Sequence, residues 1–151
     1  MNKAGSNVIA IGCDHGGYAM KEFLVKELKA RGYSIRDYGT NSEESVDYPD
    51  FIHPVASAVN SGEYRFGIVI CGSGQGAAMT ANKYRNVRAA LLWDTEQARL
   101  TRQHNDANIV ALAGRFLPFD KALEIVEAFL NEPFEGGRHI RRIEKMKLIS
   151  E

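Results

Sequence analysis

Short apolar runs alternate along the chain with stretches in which apolar residues recur every three or four positions. The first pattern predicts buried strands, and the second predicts amphipathic helices. The predicted strands are residues 8–11, 33–38, 67–71, 87–93 and 108–113. The first predicted helix carries Met20 to Leu28 and stops at Gly32, and the second begins near Pro49 or Asp50. The third follows the third strand to about Tyr84, and the fourth runs from Asp94 or Thr95 to about Gln103. The fifth extends from Pro118 towards Pro133, and the last begins at about Arg138 and closes the chain.

Strands and helices that alternate at this spacing predict an α/β fold with a parallel sheet and helices on both of its faces. Residues 33–38 alternate between apolar and polar side chains, so we expect this strand near an edge of the sheet. Pro54 argues against the second helix unless it lies in the first turn, because an interior proline removes a backbone hydrogen bond. No linker or internal repeat interrupts the pattern, so we expect one domain over residues 1–151.

Composition and charge exclude several classes of partner. Hydrophobic residues make up 44% of the chain, which is ordinary for a globular protein. Nineteen basic and nineteen acidic side chains cancel, so the overall charge favours neither nucleic acid nor an anionic membrane as a partner. No apolar run approaches the ~18 residues that a membrane span requires.

The cysteines and histidines predict a cytoplasmic protein without a bound metal. Cys13 and Cys71 show neither zinc nor redox spacing, so we expect free thiols in a reducing cytoplasm. The polar lead-in at 1–6 has no signal-peptide apolar region, which agrees with that location. The four histidines are scattered in the sequence and form no metal-binding motif, although the sequence leaves their clustering in space open.

Residues 68–77 carry the clearest candidate chemistry. A buried strand ends at Cys71, and three glycines follow within five residues before a helix-compatible run. Such a turn directs backbone N–H groups at an anion, and the helix adds its positive end. A thiol there is expected to have a lowered pKa, which combines a candidate base with an oxyanion cradle. The alternative is a structural turn with a buried, inert cysteine.

Two other interpretations of this stretch are weaker. Gly72-x-Gly74-x-x-Ala77 matches a dinucleotide fingerprint, and Asp94 lies near the usual offset of the ribose-binding acid. That fingerprint normally opens the first strand–helix unit rather than the third, so Asp94 is better interpreted as a helix cap. A cysteine-dependent phosphatase would need an arginine six residues after Cys71, where this chain has Ala77.

Ligands of such folds bind at the carboxyl ends of the strands, where several reactive side chains should meet. The residues that follow strands one, three and five are Asp14, His15, Cys71, Ser73 and Arg115. His104 and Asn105 precede strand five and must reach the site by another route, for example from a neighbouring subunit. Arg138 and Arg142 lie one helical turn apart, which suits either a solvated face or a phosphate clamp. Together these groups favour a proton-transfer enzyme for a small phosphorylated molecule.

Motifs along nearly the whole chain resemble the type B ribose-5-phosphate isomerases. They are Gly12-Cys13-Asp14-His15, Asp47-Tyr48-Pro49, Cys71-Gly72-Ser73-Gly74-x-Gly76, Ala81-Asn82-Lys83, Arg102-Gln103-His104-Asn105-Asp106-Ala107-Asn108 and Glu135-Gly136-Gly137-Arg138-His139-x-x-Arg142. The wider family includes allose-6-phosphate isomerases and galactose-6-phosphate isomerase subunits. The preference for a pentose or a hexose phosphate therefore stays open, as does a non-catalytic dinucleotide- or sugar-phosphate-binding module.

The resemblance implies a Rossmann-like three-layer α/β/α sandwich with five parallel strands in the order 2-1-3-5-4. It also implies a homodimer, or sometimes a tetramer, with active sites at the subunit interface. The implied reaction is the interconversion of ribose 5-phosphate and ribulose 5-phosphate in the pentose phosphate pathway, through an enediolate and without a metal or other cofactor.

The resemblance also assigns roles to individual residues. Cys71 corresponds to the base, Ser73 to the hydroxyl that moves protons between the substrate oxygens, and His104 with Asp14 to the ring-opening pair. Gly72, Gly74 and Gly76 correspond to the enediolate cradle, His15, Arg115, Arg138 and Arg142 to the phosphate ligands, and Tyr48 and Asn105 to substrate-positioning residues. Some relatives replace the cysteine with a glutamate just after the glycines. Here that position is Ala77, which places the chain in the thiol branch, and Gln75 receives no role.

Overall fold

A computed structural model describes residues 8–147. Its strands are β1 (Val8–Cys13), β2 (Ser34–Asp37), β3 (Phe66–Cys71), β4 (Ala89–Leu91) and β5 (Ile109–Ala113). Its α-helices are α1 (Tyr18–Ala30), α2 (Tyr48–Asn60), α3 (Gln75–Ala81), α4 (Thr95–Asn105), α5 (Phe119–Asn131) and α6 (Arg138–Lys145), and a 3-10 turn covers His15–Gly17. No helix in this range is long and apolar enough to cross a membrane.

The five strands form one sheet in the order β2-β1-β3-β5-β4, and every neighbouring pair is parallel. This confirms the Rossmann-like α/β/α fold and the strand order expected from the sequence. The central strands have buried side chains along most of their length, whereas β2 and β4 lie at the edges and are partly exposed. The pairing places Cys71 beside Ala113, so the carboxyl ends of β3 and β5 lie at the same end of the parallel strands.

Alternate residues of the central strands pack into separate hydrophobic cores on the two faces of the sheet. Ile68 and Ile70 belong to the core that α1 and α5 cover, whereas Val69 and Cys71 belong to the core under α2 and α3. This alternation follows from the two-residue period of a strand. It places Cys71 on the face that α2 and α3 cover.

Helix α2 differs from the expectation about Pro54. The helix begins at Tyr48, with Asp47 as its N-cap, and continues through Pro54 to Asn60. The doubt that Pro54 raised about this helix was therefore wrong. Pro54 removes one backbone bond in the middle of the helix, and the buried residues Ile52, Val55, Ala56, Ala58 and Val59 on its inner face offset that loss.

Helix α3 and strand β4 are both shorter than the sequence pattern predicts, and the side chain of Asn82 bridges them. The helix ends at Ala81, and β4 covers only Ala89–Leu91. The side chain of Asn82 accepts a hydrogen bond from Ala89 N (2.8 Å) and donates one to Ala89 O (3.0 Å). This amide thus connects the end of α3 to the start of β4.

Candidate active site

Backbone hydrogen bonds join the glycine loop after β3, residues 72–76, to the turn after β5. Gly114 N donates to Cys71 O (2.9 Å), and Arg115 N donates to Gly72 O (3.0 Å). The guanidinium of Arg115 consequently lies over Gly72, where an added Cβ would be 3.3 Å from Nη1. The same guanidinium lies 3.3 Å from the Cβ position of Gly16. The turns after β1, β3 and β5 therefore meet around Arg115.

The glycine loop could not hold larger residues without moving its neighbours. Gly74 has φ = 78°, a conformation that favours glycine, and an added Cβ would approach Leu91 to 2.6 Å. A Cβ on Gly76 would lie 2.6 Å from Cζ of Tyr48. Gln75 N donates to Ser73 Oγ (3.3 Å), which orients the hydroxyl within the loop.

Asp14 shapes the turn after β1. Its buried carboxylate Oδ1 accepts hydrogen bonds from Gly16 N (2.9 Å) and Gly17 N (3.2 Å), so it caps the 3-10 turn. Val46 N donates to Nδ1 of His15 (3.1 Å). A ring nitrogen that accepts a bond carries no proton, so this arrangement puts the proton of a neutral His15 on Nε2.

A buried charged pair that the sequence analysis missed lies next to this turn. Lys21 is fully buried, and its Nζ donates to both carboxylate oxygens of Asp37 (2.9 and 2.7 Å). Burial alone would lower the pKa of Lys21, but the hydrogen bonds and charge of Asp37 outweigh it, and the pKa is raised. Asp37 also accepts a bond from Gly39 N (2.8 Å). The sequence feature that could have indicated this buried pair is the spacing of Lys21, which lies three residues before Leu24 and therefore on the apolar face of α1.

The two cysteines occupy different environments. Cys71 is 5% exposed at the carboxyl end of β3, within reach of the glycine loop. Cys13 is completely buried on the opposite face, and burial raises its pKa to about 12, although nearby Lys21 acts to lower it. Cys13 is therefore a neutral thiol at physiological pH, and it is no candidate for the base.

The remaining candidates form a second group at the other end of the sheet. His104 and Asn105 end α4, just before β5 begins at Ile109, whereas Cys71 pairs with Ala113 at the end of β5. The start of β5 at Ile109 and its end at Ala113 are four residues apart, which is roughly 13 Å along the strand. Within one chain, His104 is thus not beside Asp14, its expected ring-opening partner.

The C-terminal helix belongs to this second group. Glu135 N donates to Gln103 O (3.1 Å), so the segment before α6 is attached to the end of α4. Arg138 and Arg142 lie on α6 and are both exposed. The structure therefore brings Cys71, Ser73, Asp14, His15, Tyr48 and Arg115 together, and it places His104, Asn105, Arg138 and Arg142 apart from them.

A cavity of about 680 Å³ adjoins the second group rather than Cys71. Asn105 lines it, together with Asn82, Tyr84, Arg88 and Ile143. Ordinary ligand pockets have about this volume, from ~300 to ~1,000 Å³. This cavity thus lies near the end of α4, away from the candidate base.

Among residues 8–147, one group of side chains is close enough to be considered for a metal ion. The candidate ligand atoms of His104, Glu135 and His139 all lie within 4.8 Å of one another. The two imidazole rings stack, however, with their centroids 4.6 Å apart and 17° between their planes. A metal bound to imidazole lies in the plane of the ring, and planes so nearly parallel do not meet near both nitrogens. The geometry therefore favours a stacking contact over coordination.

Comparison with known proteins gives consistent matches over nearly the whole chain. Residues 9–146 match the model of a family described as ribose/galactose isomerase. Ribose-5-phosphate isomerase B of Escherichia coli strain K12 is 43% identical over 143 residues, which are 95% of this chain and 96% of that protein. The solved structure of the enzyme from Clostridium thermocellum has 51% identity and a TM-score of 0.91, over 93% of this chain and 95% of that one. The Mycoplasma genitalium enzyme, solved with bound ribulose-5-phosphate, has 41% identity and a TM-score of 0.89, over 93% of each chain.

Proposed function

The chain belongs to the ribose/galactose isomerase family, and from this membership we propose that it is an isomerase that interconverts ribose 5-phosphate and ribulose 5-phosphate. The names of its relatives support this substrate, as does the ribulose-5-phosphate in the Mycoplasma genitalium structure. The single observation in this chain that carries the chemistry is the position of Cys71. It ends a buried strand beside a glycine loop, where Arg115 also lies.

We propose that Cys71 is the base of the isomerisation. Its thiolate removes the proton from C2 of the open-chain aldose, the electrons move into an enediolate, and the thiol returns the proton to C1. Ser73 assists the proton that moves between O1 and O2. Backbone N–H groups from Gly72 to Gly76 stabilise the enediolate oxygens. In other oxyanion holes, the loss of one such donor costs roughly 3–4 kcal/mol of transition-state stabilisation.

Further groups are proposed to bind and open the sugar. The substrate is mostly a closed furanose, so a proton must move between the ring oxygen and O1 before isomerisation. We assign this step to His104 with Asp14, because an imidazole can accept and donate protons near neutral pH. Tyr48 and Asn105 hold the sugar. The proposed phosphate ligands are His15, Arg115, Arg138 and Arg142.

The separation of these groups within one chain supports a composite site in a homodimer. The groups around Cys71 and around His104 lie at opposite ends of the sheet, so neither forms a whole site alone. A second copy that presents its His104, Arg138 and Arg142 to Cys71 would complete two equivalent sites by symmetry. Assembly into a tetramer would leave this arrangement unchanged. We further propose that the enzyme works in the cytoplasm without a metal or other cofactor.

The test is turnover by protein that has been stripped of metal with a chelator. Ribose 5-phosphate, allose 6-phosphate and galactose 6-phosphate would be compared under the same conditions, with Cys71→Ala as the inactive control. We expect the highest kcat/KM for ribose 5-phosphate and no stimulation by added divalent cations. A clear preference for a hexose phosphate would overturn the proposed substrate, and turnover only with added metal would overturn the metal-free mechanism.

A further inference from the structure

The imidazole rings of His104 and His139 stack across the contact between α4 and α6. Their centroids are 4.6 Å apart, and the ring planes differ by 17°. His139 is the inner ring and is only 5% exposed, whereas His104 remains partly accessible to solvent. One face of His104 is therefore covered by a buried aromatic neighbour from the C-terminal helix.

Hydrogen bonds attach the segment that precedes α6 to the end of α4. Glu135 N donates to Gln103 O (3.1 Å), and Gln103 Nε2 donates to Glu132 Oε2 (2.6 Å). Gln103 directly precedes His104, so the same stretch of α4 that carries one ring also holds the segment that delivers the other. The two rings thus stack between two elements that hydrogen bonds hold together, α4 and the segment that leads into α6.

Glu135 provides the second restraint on the inner ring. Its Oε1 lies 3.4 Å from Nε2 of His139, and that buried nitrogen has no hydrogen-bond partner among residues 8–147. A carboxylate this close to the ring nitrogen favours one orientation of the ring about the side-chain bonds. The carboxylate of Glu135, the ring of His139 and the ring of His104 thus form a series of contacts that ends at the proposed ring-opening group.

We propose that His139 is a positioning residue for His104, and that Glu135 orients His139 in turn. The inference rests on the proposed function, because it takes His104 as the group that opens the furanose. Proton transfer requires an imidazole nitrogen within ~2.6–3.2 Å of the atom that it serves. His104 lies at the end of a helix with two rotatable side-chain bonds, and the stacked partner restricts its ring to one plane. Preorganisation of this kind raises the rate of the step that uses the ring.

The test separates ring opening from isomerisation with two aldoses. Ribose 5-phosphate closes its furanose ring through O4, whereas 4-deoxyribose 5-phosphate lacks that oxygen and needs no ring opening. We expect His139→Ala to lower kcat/KM for ribose 5-phosphate by roughly ten- to a hundredfold and to change that for the deoxy sugar by less than about twofold. His139→Phe, which keeps an aromatic ring, should recover most of the loss, and Glu135→Gln should show a smaller loss in the same direction.

A double variant distinguishes positioning from general stability. If His139 acts through His104, then His104→Ala with His139→Ala should be no slower on ribose 5-phosphate than His104→Ala alone. Arg141→Ala, an exposed change on the same helix, is the matched control and should be neutral. Equal losses of His139→Ala on both sugars, or additive losses in the double variant, would overturn the proposal. Full turnover of ribose 5-phosphate by His104→Ala would overturn it as well, whereas the isomerase function fails only if the wild-type protein converts neither sugar.

Discussion

The phenol ring of Tyr48 lies directly against the α-carbon of Gly76. A methyl group added to that glycine would lie 2.6 Å from Cζ and 2.9 Å from the hydroxyl oxygen. Tyr48 begins α2, and Gly76 is the second residue of α3, so this contact joins the start of one helix to the proposed enediolate cradle. The Tyr48 ring can thus occupy this position only because residue 76 has no side chain.

We predict that Gly76→Ala displaces the Tyr48 ring and lowers kcat/KM for ribose 5-phosphate about tenfold, equivalent to roughly 1.4 kcal/mol. Tyr48→Ala should cause a similar loss. Because both changes remove the same contact, the double variant should lose much less than the sum of the two free-energy changes. Steady-state kinetics of the three variants provide this comparison. Fully additive losses would show that Tyr48 and Gly76 act independently.

The sequence predicted the fold well because the strands that bury both faces have the clearest patterns. The helical spacing of Met20, Leu24 and Leu28 is visible in any window of the chain, and so is the apolar run before Cys71. The order of His104 before β5 also indicated that it could not follow a strand into the site. These features depend on residues that are close together in the sequence.

The missed features depend on contacts between distant parts of the chain. Nothing local indicates that His139 stacks on His104, because the contact arises only when α6 docks on α4. The ion pair of Lys21 with Asp37 joins a helix to an edge strand in the same way. The amide of Asn82 joins the end of α3 to the start of β4, a contact that a hydrophobic pattern does not represent.

Cys71→Ala should abolish exchange of the C2 proton of the substrate with deuterated solvent. General bases typically contribute ~10²–10⁴-fold, so the remaining exchange should be close to background. Affinity for the phosphate should stay within about twofold, since none of the proposed phosphate ligands changes. Cys13→Ala is the matched control, because this thiol is buried on the opposite face of the sheet. Near-wild-type exchange in Cys71→Ala would remove the thiol from the mechanism.

The buried thiol of Cys13 should make stability fall at alkaline pH. Burial raises its pKa from 9.0 to about 12 in the folded protein. Between these values the unfolded chain releases the proton and the folded chain retains it, so the free energy of unfolding decreases as pH rises. The contribution of this group approaches roughly 1.4 kcal/mol per pH unit across that window and vanishes below pH 9.

Denaturant unfolding of wild type and Cys13→Ala from pH 7 to pH 11 measures this contribution. The substitution also removes packing atoms, so the informative quantity is the difference in slope with pH rather than the difference in stability at one pH. We expect the two curves to converge above pH 9 as the penalty grows in wild type alone. Parallel curves over the whole range would show that the thiol titrates alike in the folded and unfolded states.

Arg138 and Arg142 lie one helical turn apart on α6, so both guanidinium groups can reach one phosphate. A charge-assisted hydrogen bond contributes roughly 1.5–3 kcal/mol, whereas an exposed charge on a solvated face contributes at most about 0.5 kcal/mol. We therefore predict that Arg138→Ala and Arg142→Ala each weaken binding of ribose 5-phosphate at least about tenfold. Lysine at either position should recover only part, because an ammonium group lacks the two-pronged geometry of guanidinium. Arg141→Ala on the same helix is the control, and unchanged affinity in Arg142→Ala would rule out that residue as a phosphate ligand.

Subunit mixing determines which protomer supplies the arginine. If each site takes Cys71 from one protomer and Arg142 from the other, a dimer of an Arg142→Ala chain with a Cys71→Ala chain contains one complete site. Random assembly makes half of the dimers mixed, so an equal mixture of the two inactive proteins should recover about a quarter of wild-type activity. If both residues serve a site within one protomer, every site in the mixture lacks one of them and no activity returns. The separation of the two groups across the sheet leads us to expect recovery, and a mixture that stays inactive after confirmed subunit exchange would contradict the composite site.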